Sequence, residues 1–195
     1  DRSNSLDSLC KKFNIDLSKP LILLIQHSVT WQVKESKKQI LETLKALNKL
    51  KFQTIALYPC SDPGYKAIIN EYNKFKNKKF FKVYKNLEIT EFYSLLKYSG
   101  LLLGNSSCGI LECGFFKKYV INLGIRQEGR ICKNNVFHLP HQSDKIARKI
   151  TEILKKPQIK KKVNLYGNGN STKKIIKFIL RNHNVKKLIK KKFKI

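Results

Sequence analysis

The sequence predicts an α/β protein: a parallel sheet with helices on both faces. Three observations predict it. Continuous apolar runs of strand length recur, with Leu21-Ile22-Leu23-Leu24-Ile25 and Tyr119-Val120-Ile121-Asn122-Leu123 the clearest. Such runs, lacking an alternating polar face, belong to strands buried on both sides. Segments with helical apolar spacing separate them, and strand and helix keep alternating, which implies right-handed crossovers between parallel neighbours.

Taken in order, residues 1–18 are polar, with Leu6, Leu9, Cys10 and Phe13 on one face of a short helix. Strand one is residues 21–25 and ends at Gln26-His27-Ser28. Ile40, Leu44, Leu47 and Leu50 predict a helix over 36–50. Thr54-Ile55-Ala56-Leu57-Tyr58 is strand two, closed by Pro59 and the turn Cys60-Ser61-Asp62-Pro63-Gly64. Ile68, Ile69, Tyr72 and Phe75 mark a helix. Phe80-Phe81-Lys82-Val83-Tyr84 is strand three, and Ile89, Phe92, Leu95 and Leu96 mark the next helix. Residues 101–114 supply strand four and its helix, and residues 119–123 strand five. A polar loop, 124–135, carries Arg126, Glu128 and Arg130 to strand six at 136–139. Ile146, Ile150, Ile153 and Leu154 place a helix after it. Residues 155–163 are a basic linker, 166–170 a turn, and Ile175, Ile176 and Ile179 mark a terminal helix before a basic tail.

Composition narrows the functions. The chain has 195 residues, 42% of them hydrophobic, enough for one large domain or two small ones. No apolar run approaches the roughly 20 residues of a membrane-spanning helix, so no membrane partner is expected. The chain does not open with Met, and we read it as an excerpt of a longer one. Five cysteines form no C-x-x-C pair, which argues against a disulfide scaffold and for a reducing cytoplasm. No metal is expected: His138 and His141 flank a proline, and no cysteine pair completes a site. These two and His183 read as structural or surface residues. The net charge is +28, from 41 Lys+Arg against 13 Asp+Glu. Most of the excess is Lys on helix faces and ends, in a chain also rich in Asn and Ile, so a solvated surface set by codon composition is the plainer reading. Nucleic acid is the competing one, through residues 155–162 and 186–194. Those runs lack the interleaved aromatics of a stacking platform, Phe193 aside.

Ligands of open parallel sheets sit at the carboxyl ends of the strands. His27 follows strand one, Asp62 strand two, Ser106 strand four and Arg126 strand five. The richest stretch is Leu101-Leu102-Leu103-Gly104-Asn105-Ser106-Ser107-Cys108-Gly109-Ile110-Leu111-Glu112-Cys113-Gly114. A strand breaks at Gly104-Asn105, and Ser106 and Ser107 suit the N-cap of a helix whose free amides and dipole would attract a phosphate. Glu112 lies at neither serine's capping-box spacing. Along a regular helix it would stand roughly 7–8 Å from Ser107, a reach from diphosphate to ribose. A capped strand–turn–helix corner with no ligand remains the alternative. Cys108 and Cys113 are expected to be packing residues.

Three motifs resemble the UDP-N-acetylglucosamine 2-epimerase family, and more narrowly its hydrolysing branch of the sialic acid pathway type. Gly104-Asn105-Ser106-Ser107-Cys108-Gly109, with Glu112 and Gly114, is similar to the branch's nucleotide-binding corner. Asn122-Leu123-Gly124-Ile125-Arg126-Gln127-Glu128-Gly129-Arg130 is similar to its arginine-bearing loop, and Gln26-His27-Ser28-Val29-Thr30 to its histidine–proline–valine–threonine turn. Ser28 departs from the frequent proline there, and Cys60 stands where the branch usually has asparagine.

The resemblance spans about residues 20–180. It implies a Rossmann-like sheet that is one half, the carboxyl-terminal one, of a two-domain B-type glycosyltransferase-like fold. The expected divisions are a lead-in at 1–18 from an absent amino-terminal domain, a nucleotide-binding domain at 19–156, a linker and terminal helix at 157–182 and a tail at 183–195. It implies elimination of UDP from UDP-N-acetylglucosamine and hydration to N-acetylmannosamine, without a cofactor. Carried over by position, Ser106 and Ser107 hold the diphosphate and Glu112 the ribose. Asp62 joins the UDP site, His27 lies beside phosphates and reacting sugar, and Arg126 and Arg130 offset the charge of departing UDP. The absent domain would supply the acidic residues that move the C2 proton, and the full-length protein is expected to be a homodimer or tetramer. A modified, 2,4-diacetamido UDP-sugar is the alternative substrate, and a degenerate member that only binds is a third reading.

Overall fold

The computed structural model describes residues 6–16, 18–163, 165–167 and 169–182. The expected tail at 183–195, His183 and Asn168 of the expected turn lie outside them. The chain divides into two compact units, Asp1–Val163 and Asn164–Ile195.

The first unit is built on a six-stranded sheet of order β3-β2-β1-β4-β5-β6. The strands are β1 (Leu21–Ile25), β2 (Gln53–Leu57), β3 (Phe81–Tyr84), β4 (Leu101–Gly104), β5 (Tyr119–Leu123) and β6 (Val136–Leu139). Every neighbouring pair is parallel. The order reverses between β1 and β4, the Rossmann-like arrangement whose crevice beyond the carboxyl ends at the reversal takes ligands. Strand two is shifted by one residue toward the amino terminus and strand three begins one residue later than expected, as sheet boundaries do. A 3-10 segment, Thr30–Glu35, was not foreseen, because it carries no apolar period.

Side chains alternate across β1. Ile22 and Leu24 enter one core, together with Ile40, Leu44 and Leu47 of α2 (Ser36–Leu50), Ile68 and Tyr72 of α3 (Tyr65–Phe75), and Ile146, Ile150 and Ile153 of α6 (Ser143–Leu154). Leu21, Leu23 and Ile25 enter the other, with Leu9 and Phe13 of α1 (Leu6–Phe13) and Leu95 and Leu96 of α4 (Ile89–Tyr98). Helices thus cover both faces. The lead-in helix is part of this unit: Phe13 is fully buried, its ring edge-on to Tyr84 at 4.9 Å. Cys108 and Cys113 are buried in the second core, as packing residues should be. Among the described residues no helix is long and apolar enough to cross a membrane. In the second unit, α7 (Ser171–Arg181) presents Ile175, Ile176, Phe178, Ile179 and Leu180 as exposed side chains.

Candidate active site

The site grows from the place where β4 leaves β1. Gly104 pairs with Ile25 as the last register pair. Its φ is +131°, and a Cβ there would stand 2.0 Å from the Ile25 carbonyl oxygen, so only glycine allows the strands to close this tightly. Asn105 follows, fully buried. Its amide N–H donates to the Ile25 carbonyl at 3.1 Å. Its side chain then bonds His27 twice: Oδ1 accepts the His27 N–H at 2.7 Å, and Nδ2 donates to the His27 carbonyl at 2.9 Å.

This fixes the His27 main chain, and a second contact fixes its ring. The Cys60 backbone N–H donates to Nδ1 at 3.0 Å. A nitrogen that accepts cannot carry the proton, so His27 is the Nε2–H tautomer. Burial drives its pKa down from 6.5 to about 4, aided by the charge of Arg126 and opposed by Asp62. His27 is therefore a neutral donor near pH 7, suited to a phosphate or sugar oxygen and unable to serve as a cation. The Cys60 side chain is exposed, and it is the main chain that makes this contact.

Arg126 joins the same place from the loop after β5. One guanidinium nitrogen donates to the Asn105 carbonyl at 3.3 Å, and the other lies 3.5 Å from Asp62 Oδ2. The buried Gln127 side chain donates to that Asn105 carbonyl at 2.9 Å. His27, Asp62, Arg126 and the Ser106–Ser107 corner thus converge, as their positions in the chain predict.

The corner differs from expectation in one respect. Helix α5 (Cys108–Leu111) is a single turn, and Ser107 at its N-cap makes no side-chain capping bond. Ser106 Oγ accepts the Cys108 N–H only at 3.4 Å. Ser106 thus caps the turn only weakly and Ser107 not at all, which corrects the expectation for Ser107, and one turn has little macrodipole. Any attraction for an anion comes from the two half-buried hydroxyls and the nearby guanidinium. Glu112 ends this turn instead of lying along a longer helix. It is half-buried, its Oε2 is buried with no hydrogen-bond partner, and burial raises its pKa. A carboxylate oxygen so placed is costly unless something donates to it.

A recess of about 390 Å³ opens between His27, the two serines and Arg126 and the ends of β2 and β3. His27, Ser106, Ser107 and Arg126 form one side; Leu57, Tyr58, Lys85 and Phe92 form another. Leu57 and Tyr58 stand at the end of β2, Lys85 just after β3 and Phe92 on α4, and none of them gave a sequence signal for a binding site. Asn105 and Gln127 lay inside quoted motifs, and an amide side chain at a strand end was the clue to them. Arg130 is placed apart. It is exposed and lines a second recess of about 460 Å³ with Glu128, His138 and Pro140. His141 is not a surface residue: both ring nitrogens are buried without a partner, packed on Gly124, where φ is +67° and a Cβ would stand 2.6 Å from Nε2. Among the described residues no three His, Cys, Asp or Glu are grouped to hold a metal.

A family model described as UDP-N-acetylglucosamine 2-epimerase matches residues 3–180. The chain belongs to the UDP-N-acetylglucosamine 2-epimerase family. It is 32% identical over 173 residues to the Legionella pneumophila UDP-N,N'-diacetylbacillosamine 2-epimerase (hydrolyzing), covering 89% of this chain and 46% of that protein. It is 35% identical over 130 residues to the Campylobacter jejuni GDP/UDP-N,N'-diacetylbacillosamine 2-epimerase (hydrolyzing), covering 65% and 34%. Its fold matches the Neisseria meningitidis UDP-GlcNAc 2-epimerase bound to UDP-GlcNAc with a TM-score of 0.69 at 19% identity, over 90% of this chain and 49% of that one. The chain thus spans about half the length of the relatives it matches, or less.

Proposed function

We propose that this chain is the UDP-binding half of a hydrolysing 2-epimerase acting on a UDP-linked 2-acetamido sugar, UDP-N-acetylglucosamine in the first reading. The observation that carries it is the buried, unpartnered Glu112 oxygen beside the Ser106–Ser107 corner. The two ribose hydroxyls are the donors that would satisfy it. In this reading the diphosphate lies against the Ser106 and Ser107 hydroxyls, and the uracil ring occupies the recess of Leu57, Tyr58, Lys85 and Phe92. His27 donates Nε2–H to a phosphate or sugar oxygen. Arg126, steadied by Asp62, offsets the negative charge on UDP as the C1–O bond breaks. The C2 proton leaves to a base outside this chain, the C1–O electrons depart with UDP, and a 2-acetamidoglucal forms. Addition of water gives N-acetylmannosamine. Arg130 acts on the same charge from its own loop once the rest of the protein encloses the sugar. The isolated chain then binds UDP weakly and does not turn over.

Calorimetric titration with UDP in about 0.15 M salt, where diffuse attraction by lysines is damped, tests this reading. Saturable one-site binding that is lost in Glu112→Ala is the expected result. Equal binding of any polyphosphate, unchanged in that variant and falling steeply with salt, would instead favour the basic nucleic-acid-binding reading. Release of N-acetylmannosamine by this chain alone would overturn its assignment as a half.

A second reading has its own support. Both relatives described above are hydrolysing epimerases of N,N'-diacetylbacillosamine nucleotides, which favours a 2,4-diacetamido UDP-sugar. The ratio of kcat/KM for the two sugars, measured on the full-length protein, decides between them.

A further inference from the structure

We infer that Asn105 is a positioning residue: its side chain clamps the His27 turn by both N–H and C=O, while its carbonyl gathers Arg126 and Gln127, so that one residue registers three loops around the ligand. This inference rests on the UDP-site reading for its functional consequence, though not for its geometry.

The β1–β4 ladder ends at Ile25 and Gly104. Asn105 extends it without a strand. Its main-chain N–H takes the Ile25 carbonyl at 3.1 Å, and its side chain then serves His27 as a neighbouring peptide would, accepting at 2.7 Å and donating at 2.9 Å. At neutral pH a carboxamide offers a donor and an acceptor side by side where a carboxylate only accepts, and glutamine would carry it one methylene too far. The carbonyl of the same residue receives Arg126 at 3.3 Å and Gln127 at 2.9 Å. Asn105 has no exposed surface, so each of these bonds is shielded from water and none is readily replaced by it. The His27 ring is then held at two points: its backbone by Asn105, and its Nδ1 by the Cys60 N–H at 3.0 Å. Releasing the first loosens the second.

The test is made on the 15N-labelled chain, following the His27 ring nitrogens against pH and titrating UDP in parallel. The unsubstituted chain should keep His27 neutral, with Nδ1 accepting, down to a pH of about 4. In Asn105→Ala the turn is free, the ring leaves Cys60, and His27 should titrate near ~6.5. UDP affinity should fall about tenfold, because the freed His27 turn must then be ordered when the ligand binds. In Asn105→Asp the introduced carboxylate accepts the His27 N–H but has no proton for the carbonyl. Its protonated form does, so the affinity loss should shrink as pH falls and the buried carboxyl takes up a proton. If Asn105→Ala does not fold, the near-isosteric Asp substitution carries the same readouts. A folded variant whose His27 titration and UDP affinity stay within about twofold of the parent overturns the inference. The two readings fail separately: absence of UDP binding by the parent chain defeats the UDP site, whereas His27 titration reports on Asn105 with no ligand present.

Discussion

The corner after β4 and the loop after β5 both follow central strands, and both carry motifs that resemble the family's, yet they are built differently. The corner is held on every side within this chain. Asn105 is buried and fully bonded, the serines are half-buried, and Glu112 points an unpartnered oxygen inward. The loop is held at its start and, through the buried Asn135, which donates to the Lys118 carbonyl at 3.0 Å, at its end, but its middle is exposed. Arg126 and Gln127 reach back to Asn105, but Glu128, Gly129, Arg130 and Ile131 are exposed, and Arg130 faces its own recess. A motif names the residue types a reaction needs. Whether a residue is already in place depends on whether its supports lie on the same piece of chain.

The largest effect expected from this comparison is on stability, because each region rests on a buried histidine. His27 lies under the corner and His141 behind the loop, and burial lowers the pKa of each from 6.5 to about 4. Above pH 6.5 both are neutral in folded and unfolded chains alike. Between 6.5 and about 4 the unfolded chain binds protons that the folded one refuses. Stability is therefore complete above the unfolded value and is lost as pH falls toward the folded one. The loss is on the order of 3 kcal/mol for each histidine by the end of that window. Urea unfolding at a series of pH values should show it, and His27→Gln with His141→Gln should flatten the profile. A profile flattened by His27→Gln alone would mean that the loop is packed far more loosely than the corner.

The next effect separates the corner's carboxylate from its neighbours. Ionised Glu112 accepts from both ribose hydroxyls in the proposed complex, and bonds to a charged group are each worth about 1.5–3 kcal/mol. Glu112→Ala should therefore weaken UDP at least roughly tenfold. Because burial raises the Glu112 pKa, protonation removes this acceptor sooner than for an exposed glutamate. Uridine, which has no phosphate to titrate, should bind less tightly at pH 5 than at pH 7.5, and Glu112→Gln should abolish that dependence. A pH-independent parent would detach Glu112 from the ribose.

The same contrast explains what was legible in the sequence. Every strand was visible, the central ones because a strand buried on both faces must be apolar throughout, as β1 is buried from Leu21 to Ile25, and the half-buried edge strands β3 and β6 because they stay mostly apolar. The convergence of His27, Asp62, Ser106 and Arg126 was visible too, since a parallel sheet brings its carboxyl ends together. What escaped was the wiring. The length of α5 was misjudged because Cys108, Gly109, Ile110 and Leu111 carry no stop signal, whereas after one turn the backbone leaves the helical ladder, the Cys113 N–H bonding the Cys108 carbonyl five residues back at 3.0 Å. The burial of His141 was hidden because it depends on the left-handed Gly124 from a neighbouring loop. Asn105 was overlooked beside the serines because hydroxyls advertise anion binding, while an amide's role shows only when both of its partners are known.

The smallest effect sharpens the comparison most. Arg126 is anchored by the Asn105 carbonyl and by Asp62, whereas Arg130 is exposed. Arg126→Ala should cost this chain about tenfold in UDP affinity, consistent with one charge-assisted contact. Arg130→Ala should change it by less than about twofold, since removing an exposed, unanchored charge leaves no buried partner behind. If the chain is one half of a longer enzyme, as proposed, the order there changes with the observable. If Arg130 meets the sugar nucleotide only in the closed site, its removal should lower kcat with little change in KM, the sign of an interaction made in the transition state. Equal losses of UDP affinity for the two substitutions in this chain would erase the distinction between the anchored and unanchored halves of the loop, and would place Arg130 against the diphosphate before the rest of the protein arrives.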